Sequence, residues 1–309
     1  MSQPGPAGGK STLPSLPGRI LGIDAGGSGT RVILLERGTV TARPDGPPMN
    51  ALLTEDYAAR LSQIIEAADA TAAGVGMAGM RQAGQARVLS ETLTRQTGRP
   101  VHVTGDADSA RAGAFLGAPG VVVIAGTGSM ASGWNGESSA RAGGHGFLLG
   151  DEGSAYWIGR AAVRAALRWE DGMGGGSARI HRAVIQAVGQ GPRGPRGPQG
   201  TEGLDALIGE VCTHPAERAL LTALAPVVTE LAAEDPEARK IALRAAEHLA
   251  ALAEAVRHRL GPLPVAGAGR VFSAPVIWDR FAELTGAVRP LAAATVGAAL
   301  LAGQRVDGG

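Results

Sequence analysis

Short apolar runs bounded by glycine dominate the first patterned part of the sequence. Residues 19–40 read RILGIDAGGSGTRVILLERGTV, and the apolar runs 20–23 and 32–35 flank a glycine-rich turn. This pattern predicts a strand, a tight turn and a second strand, followed by another turn and strand. Residues 54–68 instead carry apolar side chains at helical spacing, which predicts an amphipathic helix.

The pattern of strand, glycine turn and strand begins again about 100 residues later. Residues 120–136 read GVVVIAGTGSMASGWNG. The repeat predicts two similarly built α/β domains that meet at a cleft. The other predicted elements are strands at 72–78, 100–104 and 263–266, and helices at 85–97, 106–116, 237–260 and 292–303.

The predicted organisation is a tail at 1–18, an N-terminal domain at 19–118 and a C-terminal domain at 119–309 with helical insertions. The tail is rich in Pro, Gly and Ser and has no apolar run, so we expect it to be disordered and not a signal peptide. No stretch reaches the roughly 18 apolar residues of a membrane helix, and we expect a cytoplasmic protein. The last helix, at 292–303, is expected to pack back on the N-terminal domain.

Composition narrows the range of functions. Lys and Arg number 29 against 28 Asp and Glu, a net charge of +1, which excludes a strongly basic nucleic-acid binder. The single cysteine, Cys212, excludes a disulfide framework and a zinc or iron–sulfur site built from several cysteines of one chain. Only Lys10 and Lys240 are lysines, so phosphate chemistry has almost no lysine to use. The 48 glycines are then either linker or backbone that approaches a ligand closely.

Three glycine-containing segments resemble known motifs without fulfilling them. The tail sequence GPAGGKST has Pro4 where a phosphate-binding P-loop needs its first glycine, and no strand precedes it. Residues 74–79 have the spacing G-x-G-x-x-G of dinucleotide sites, but they overlap a predicted strand instead of following one. Residues 191–200, GPRGPRGPQG, are too short for a collagen helix, and we expect a mobile loop there.

The first glycine turn is a candidate phosphate-binding loop. Backbone N–H groups of such a turn can face an anion, and hydroxyl groups add further donors. Asp24, at the end of the preceding strand, could orient the hydration shell of Mg²⁺. A plain hairpin turn is the alternative. The loop consists of Gly26, Gly27, Ser28, Gly29 and Thr30.

The second glycine turn repeats this arrangement after the apolar run 121–123. Two such turns suit two domains that hold one polyphosphate from opposite sides, although each turn alone could be a hairpin. The turn consists of Gly126, Thr127, Gly128 and Ser129.

Three acidic residues could take part in the chemistry. Asp106 lies where a predicted strand ends and a helix begins, so it is either a helix N-cap or a general base for phosphoryl transfer to a hydroxyl. Asp151 and Glu152 end the glycine-rich segment GGHGFLLGDEGS; they could accept hydrogen bonds from sugar hydroxyls or simply stabilise a helix N-terminus. His145 in the same segment is either structural or a ligand contact.

These segments together resemble the N-acetylglucosamine kinase and BadF/BadG-type ATPase family, which belongs to the sugar kinase/actin/heat-shock-70 superfamily. The motifs, in chain order, are a loop of the DxGGS/T type, GTGS and GG-x-G-x-x-LGDEGS. The resemblance implies two RNase H-like domains of the actin-like ATPase fold, with ATP in the cleft. It covers 22–31, 106–115, 120–132, 142–160 and 265–303.

The resemblance also implies a reaction and roles for individual residues. It implies ATP-dependent phosphorylation of an amino sugar, N-acetylglucosamine or glucosamine, by in-line transfer to the 6-hydroxyl, and family members often form homodimers. Both glycine turns would bind ATP, Mg²⁺ would lie near Asp24, and Asp106 would be the base. Gly267 and Gly269 would be the glycines on the adenosine side. The sugar pocket would comprise Asn50, Asp106, Gly144, His145, Asp151 and Glu152.

The sequence departs from the family pattern at several positions. Ala25 and Gly29 replace a Gly and often a Lys in the first loop, while Met130 and His145 stand where Asn and Trp are common. The last two changes leave the identity of the sugar open. The alternatives are an ATPase of the BadF/BadG type without sugar kinase activity, and an ATP- or sugar-binding sensor. Activator ATPases hold an iron–sulfur cluster between subunits, for which one cysteine per chain is too few.

Overall fold

The structure is a computed structural model that describes residues 13–26, 29–51, 54–80, 83–189, 204–213 and 218–306. It contains two compact α/β units. The first unit ends at Gly120 and includes the segment from Arg289 onward, and the second unit runs from Val121 to Val288. The predicted α/β fold with two domains is therefore confirmed. The residues of the Gly-Pro-Arg segment, 191–200, lie outside the described part of the chain.

Nine strands are formed within the described ranges. They are β1 (Arg19–Gly26), β2 (Gly29–Glu36), β3 (Thr39–Ala42), β4 (Ala72–Met77), β5 (Val101–Gly105), β6 (Gly120–Ala125), β7 (Ser129–Trp134), β8 (Ser139–Gly143) and β9 (Val265–Ala268).

Eleven α-helices are formed within the same ranges, with a short 3₁₀ helix at Arg270–Ser273. They are α1 (Tyr57–Ala67), α2 (Ala83–Thr97), α3 (Asp106–Ala114), α4 (Ala155–Glu170), α5 (Ala178–Gly189), α6 (Leu204–Thr213), α7 (Arg218–Ala223), α8 (Ala225–Leu231), α9 (Pro236–Leu260), α10 (Pro275–Thr285) and α11 (Ala294–Val306). None of them is both long and apolar enough to span a bilayer, as far as the described ranges go.

Each unit is built on one sheet, and the two sheets share a strand order. In the first unit the order is β3-β2-β1-β4-β5, and in the second it is β8-β7-β6-β9. In both, the first strand pairs in parallel with a strand that follows much later in the chain, β4 or β9. The repeated glycine turns therefore occupy equivalent places, since each joins the first strand of its sheet to the second.

The first sheet buries both faces, and its strands alternate between them. Leu21 and Ile23 of β1 pack in one cluster with Leu61 of α1 and Leu93 of α2. Ile20 faces the other way and belongs to a second cluster with Leu300 of α11. Two-sided burial explains why β1 and β2 read as nearly continuous apolar runs.

The helix α11 lies very close to the backbone of the first sheet. A Cβ atom built on Gly22 would lie 2.1 Å from the carbonyl oxygen of Thr295, and one built on Gly74 would lie 1.9 Å from that of Ala298. Side chains larger than hydrogen at these two strand positions would push the helix away. The glycines of β1 and β4 thus serve helix packing, because only their absent side chains permit this approach.

The chain is packed from residue 13 onward, which shortens the predicted disordered tail. Leu13 and Leu16 are half-buried against the cluster that contains Ile20 and Leu300. They cover the end of α11, where the side chain of Leu16 approaches Gly303. Residues 1–12 lie outside the described ranges.

The second unit has a single large apolar cluster around its sheet. Val121 and Val123 of β6 share this cluster with Leu249 of α9 and Phe281 of α10. The long helix α9 packs on β7 and β8, and α4 packs beside it. The loop at residues 143–154 leads into α4 and packs on α9 at Gly153, so these two helices position it.

His102 on β5 makes the stability of the first unit depend on pH. Burial, and secondarily the positive charge of Arg305, lower the pKa of this imidazole to about 4 from 6.5. The unfolded chain therefore takes up a proton between these two values, and the folded chain does not. The neutral imidazole of His102 therefore contributes fully to the free energy of unfolding above about pH 6.5. This contribution is lost as the pH falls toward 4.

We expect His102→Gln to flatten this dependence. The thermal midpoint of the wild-type protein, measured from pH 7 to pH 4, should fall further than that of the variant by at least about 2 °C. The exposed His258 supplies a matched control, since His258→Gln should leave the wild-type curve unchanged. Parallel curves for the wild type and His102→Gln would contradict this assignment.

Candidate active site

In the first unit, several polar residues lie at the carboxyl ends of parallel strands. The strands β1, β4 and β5 run in parallel, with Asp24 beside Gly76 and Gly76 beside Thr104. Asp106 follows the end of β5 directly. The carboxyl ends of such strands form the edge at which ligands bind in many α/β proteins.

Asp24 is a largely buried carboxylate near the end of β1. Its side chain is 19% exposed, and an oxygen lies 3.6 Å from Nη1 of Arg31 on β2. Burial raises its pKa, the positive charge of Arg31 partly offsets this increase, and the charge of Asp106 adds to it. Two carboxylates that repel one another at one edge favour a bound cation between them.

Asp106 is the first residue of α3, and the structure decides against its being the N-cap. The capping residue is Gly105, and no side chain makes a cap hydrogen bond. The carboxylate Oδ1 of Asp106 instead accepts a 2.9 Å hydrogen bond from the N–H of Ala107. The hydroxyl of Ser109 donates to the carbonyl oxygen of Asp106 at 2.9 Å. The bond from Ala107 orients the half-buried carboxylate at the strand edge, and the bond from Ser109 holds the first turn of α3.

The absence of a side chain at Gly76 determines how closely α3 approaches the sheet. A Cβ atom at this position would lie 2.1 Å from Oγ of Ser109 and 3.7 Å from Cα of Asp106. The spacing of the glycines in residues 74–79 suggested only a dinucleotide motif and did not reveal this role. Isolated glycine inside a strand pattern was the available signal, because it often marks a close approach of another backbone.

Asn50 lies at the same edge of the first sheet. The N–H of Met49 donates to the carbonyl oxygen of Gly26 at 3.1 Å, and that of Ala51 donates to Ala78 at 2.9 Å. Residues 49–51 therefore cross the ends of β1 and β4. The hydroxyl of Thr54 accepts from the N–H of Asn50 at 3.2 Å and holds the segment in place. The structure thus brings Asn50, Asp24 and Asp106 to one edge.

The first glycine turn closes the hairpin between β1 and β2. Gly26 and Gly29 are its last paired residues, while Gly27 and Ser28 lie outside the described ranges. Thr30 is fully buried, and its hydroxyl donates to the carbonyl oxygen of Pro47 at 2.7 Å. That hydroxyl therefore anchors the segment before Asn50, which is a different role from the phosphate contact expected of it.

The segment that leads into α4 supports the second glycine turn through hydrogen bonds. The N–H of Gly126 donates to the carbonyl oxygen of Gly128 at 2.9 Å, which closes the turn. The buried hydroxyl of Ser129 donates to the carbonyl oxygen of Glu152 at 2.7 Å. At the start of α4, the N–H of Ala155 donates to the carbonyl oxygen of Gly126 at 2.9 Å. Thr127 is exposed at the tip.

Asp151 supports this turn. It is 5% exposed, and its Oδ1 accepts a hydrogen bond of 3.2 Å from the N–H of Ser129. A Cβ atom at Gly128 would lie 2.8 Å from the other carboxylate oxygen. The backbone of Asp151 is left-handed, with φ of 60°. The expected contact with sugar does not fit this burial, and the carboxylate instead holds the Gly126–Ser129 turn in position.

The other predicted sugar contacts of the second unit lie near one another. Glu152 and His145 are exposed, and both approach Gly150, where a Cβ atom would lie 3.6 Å from Oε2 of Glu152 and 3.3 Å from Cβ of His145. The N–H of Gly144 donates to the carbonyl oxygen of Ser129 at 3.0 Å. The loop that carries these residues therefore borders the second glycine turn.

The two glycines predicted on the adenosine side differ in their surroundings. Gly267 is buried, and a Cβ atom there would lie 2.9 Å from the ring of Trp278, so its role is packing. Gly269 is exposed at the end of β9, and a Cβ atom there would lie 2.3 Å from the carbonyl oxygen of Ala125. Of the two, only Gly269 borders the second glycine turn.

A comparison with protein families identifies the chain. The model of the BadF/BadG/BcrA/BcrD ATPase family matches residues 21–302. The chain belongs to this family. The matched residues of this BadF/BadG/BcrA/BcrD-type protein include both glycine turns and every polar residue of the site described above, as the resemblance implied.

Individual relatives of this BadF/BadG/BcrA/BcrD-type chain agree with the assignment. The N-acetylmuramic acid/N-acetylglucosamine kinase of Clostridium acetobutylicum is 34% identical over 170 residues, 50% of this chain and 55% of that protein. The chain thus spans about half the length of this curated relative. The structure of a proposed N-acetylglucosamine kinase from Chromobacterium violaceum is 27% identical, with a TM-score of 0.70 over 94% of this chain and 100% of the other.

A more distant structure shares the fold alone. It is a glucokinase of the ROK family from Streptomyces griseus, solved with glucose and AMPPNP. It is 17% identical, with a TM-score of 0.60 over 93% of this chain and 100% of the other.

Proposed function

We propose that the protein is an ATP-dependent kinase that phosphorylates an amino sugar, N-acetylglucosamine or glucosamine. The observation that carries this proposal is the meeting of Asp24, Asn50 and Asp106 at one strand edge of a BadF/BadG/BcrA/BcrD-type unit. The names of the Clostridium and Chromobacterium relatives support the choice of sugar. Asn50 offers both a donor and an acceptor to an acetamido or hydroxyl group.

In the proposed reaction, Asp106 is the general base. A sugar hydroxyl oxygen, that of the 6-hydroxyl, attacks the γ-phosphorus of ATP in line with the leaving group. The bond from that phosphorus to the bridging oxygen of ADP breaks, and the hydroxyl proton passes to Asp106. The hydrogen bond from Ala107 holds the carboxylate in one orientation, so that the base is preorganised before the sugar binds.

The site fits a magnesium ion that arrives with the nucleotide. The described residues contain no group of three or more His, Cys, Asp or Glu that could hold a metal by themselves. Mg²⁺ commonly uses one or two carboxylates together with substrate phosphates and water, and Asp24 supplies such a carboxylate. When bound, the ion would neutralise charge on the phosphates. Occupancy there would offset the cost of keeping Asp24 ionised beside Asp106.

The two glycine turns would hold the phosphates through backbone N–H groups. Lys10 and Lys240 are the only lysines, so lysine side chains can supply little of the phosphate binding, and amide dipoles would carry more of it. Asp151 would keep the second turn in its binding shape, and the exposed Glu152 and His145 would contact sugar hydroxyls. Gly269 would border the nucleotide on the side of the second turn.

The proposal is tested by measuring ADP release with a panel of sugars. We expect N-acetylglucosamine or glucosamine to stimulate ADP release by at least about tenfold over the rate without sugar, and glucose to do so less well. N-acetylmuramic acid and N-acetylmannosamine complete the panel. Phosphorus NMR of the product then shows which hydroxyl is modified. ADP release that no sugar stimulates would favour an ATPase without kinase activity.

A further inference from the structure

The second unit contains a cavity that no step of the proposed reaction uses. It has a volume of about 660 Å³ and lies between α4 and α9. That volume is within the range of sites for small metabolites. Its described lining includes Arg160, Arg164, Arg168, Lys240, Arg244 and His248.

The cationic lining residues form two rows, one on each helix. Along α4 they recur every fourth residue, and along α9 Lys240, Arg244 and His248 do the same. Residues four apart lie on one face of a helix, so both helices turn a basic face toward the same space. Each row extends about 12 Å along its helix.

Acidic side chains within the described ranges compensate little of the positive charge of this cavity. Glu237 is the single acidic residue of the described lining, and it lies 3.5 Å from Nζ of Lys240. No ion pair within the described part of the chain involves Arg160, Arg164 or Arg244. Elsewhere arginines do find acids, as Arg179 does with Glu234 at 2.7 Å and Arg257 with Glu254 at 2.8 Å.

Like charges four residues apart destabilise a helix, and an anion bound between the two rows would relieve this repulsion. A chain with a net charge of +1 has no general excess of cations that would put five permanent ones around one cavity by chance. The guanidinium groups of Arg160, Arg164, Arg168 and Arg244 match the fork geometry of phosphate oxygens, to which arginine donates two hydrogen bonds at once.

We propose that this cavity binds a small, multiply phosphorylated metabolite. The length of the rows suits a chain or a set of phosphates better than a single one. Trp157 and Ile241 supply apolar surface for the unphosphorylated part of the ligand. His248 packs its ring on that of Trp157, with centroids 5.0 Å apart, and so joins the basic row to this apolar wall.

The same two helices also contact the second glycine turn and the loop beside it. Ala155, the first residue of α4, donates its N–H to Gly126. In α9, the carbonyl oxygen of Ala245 would lie 2.6 Å from a Cβ atom on Gly153, so the loop that contains Asp151 packs directly on that helix. A ligand that draws the two basic rows together would therefore alter the turn. The regulatory consequence rests on the proposed function, whereas the binding site does not.

Binding is tested with inorganic tripolyphosphate as the probe, by calorimetry on the full chain without Mg²⁺. We expect the double variant Arg164→Gln/Arg244→Gln to bind at least about tenfold more weakly than the wild type. The matched control is Arg239→Gln, since Arg239 lies on α9 next to Lys240 but does not line the cavity. Wild-type affinity should also fall as NaCl is raised.

Equal affinity of the double variant and the Arg239→Gln control would overturn the proposal, as would a wild-type protein that does not bind the probe at about 1 mM. Without the probe, the double variant should melt at the wild-type temperature or above it, because like-charge repulsion has been removed. The difference in tripolyphosphate affinity between the double variant and the Arg239→Gln control should persist even if no sugar stimulates ADP release. Failure of the proposed function would therefore be recognised separately.

Discussion

Replacing Asp106 by Asn is expected to lower kcat by about 100- to 10,000-fold, which is the usual contribution of a positioned general base. The amide keeps the shape of the side chain, and its oxygen can still accept from Ala107, so α3 should remain in place. The affinity for ATP, measured by calorimetry, should stay within about twofold of the wild type, because the phosphates bind elsewhere. Coupled ADP release measures kcat.

The exposed Asp69 provides the control for this prediction, since it lies in the same unit beside Arg19, at the opposite ends of the strands β1 and β4. Asp69→Asn should leave both kcat and the ATP affinity unchanged. Near-normal turnover of the Asp106→Asn protein would remove Asp106 from the role of base, whereas loss of ATP affinity would indicate a structural role instead.

A pair of substitutions at Asp151 should separate support of the second glycine turn from contact with sugar. Asp151→Ala leaves the N–H of Ser129 without its acceptor and places alanine at a left-handed backbone position. We expect it to raise the KM for ATP at least about tenfold and to lower the free energy of unfolding by about 1–3 kcal/mol. Asp151→Asn keeps an acceptor and tolerates this backbone, so it should retain most of the ATP affinity.

The neighbouring Glu152→Ala completes the design, because that side chain is exposed and only its carbonyl oxygen bonds to Ser129. It should raise the KM for sugar and leave that for ATP unchanged. The opposite result would be that both Asp151 variants raise the KM for sugar and leave the KM for ATP unchanged. In that case the carboxylate contacts sugar, and our interpretation of its burial is wrong.

The chain's repeat of strand, glycine turn and strand was enough to predict the two sheets. The edge that carries Asp24 and Asp106 could also be foreseen, because both follow apolar runs that ended up in parallel strands. What a local pattern could not supply is the direction of a side chain within a turn. Asp151 has the same sequence context whether it faces a ligand or Ser129.

Contacts between distant segments were likewise hidden from the sequence. The glycines of β1 and β4 at positions 22 and 74 could have been assigned to ligand binding, but they exist for α11, which follows more than 200 residues later. Similarly, the burial of Gly267 beside Trp278 depends on where α10 folds back. For Gly22 and Gly74 the neighbour that decides their role is so distant that no local window of sequence contains both partners. Trp278 is close to Gly267 in sequence, but the spacing alone does not reveal their contact.

The position of α11 has a consequence for synthesis on the ribosome. The second unit is one continuous segment, whereas the first unit needs a helix that is translated after it. At typical elongation rates, residue 289 follows residue 120 by about ten to thirty seconds. During that interval α11 has not yet been made. The face of the first sheet that includes Ile20 and the close-packed glycines therefore remains exposed. A chaperone that shields nascent sheets should therefore be needed most by the half of the protein that is made first.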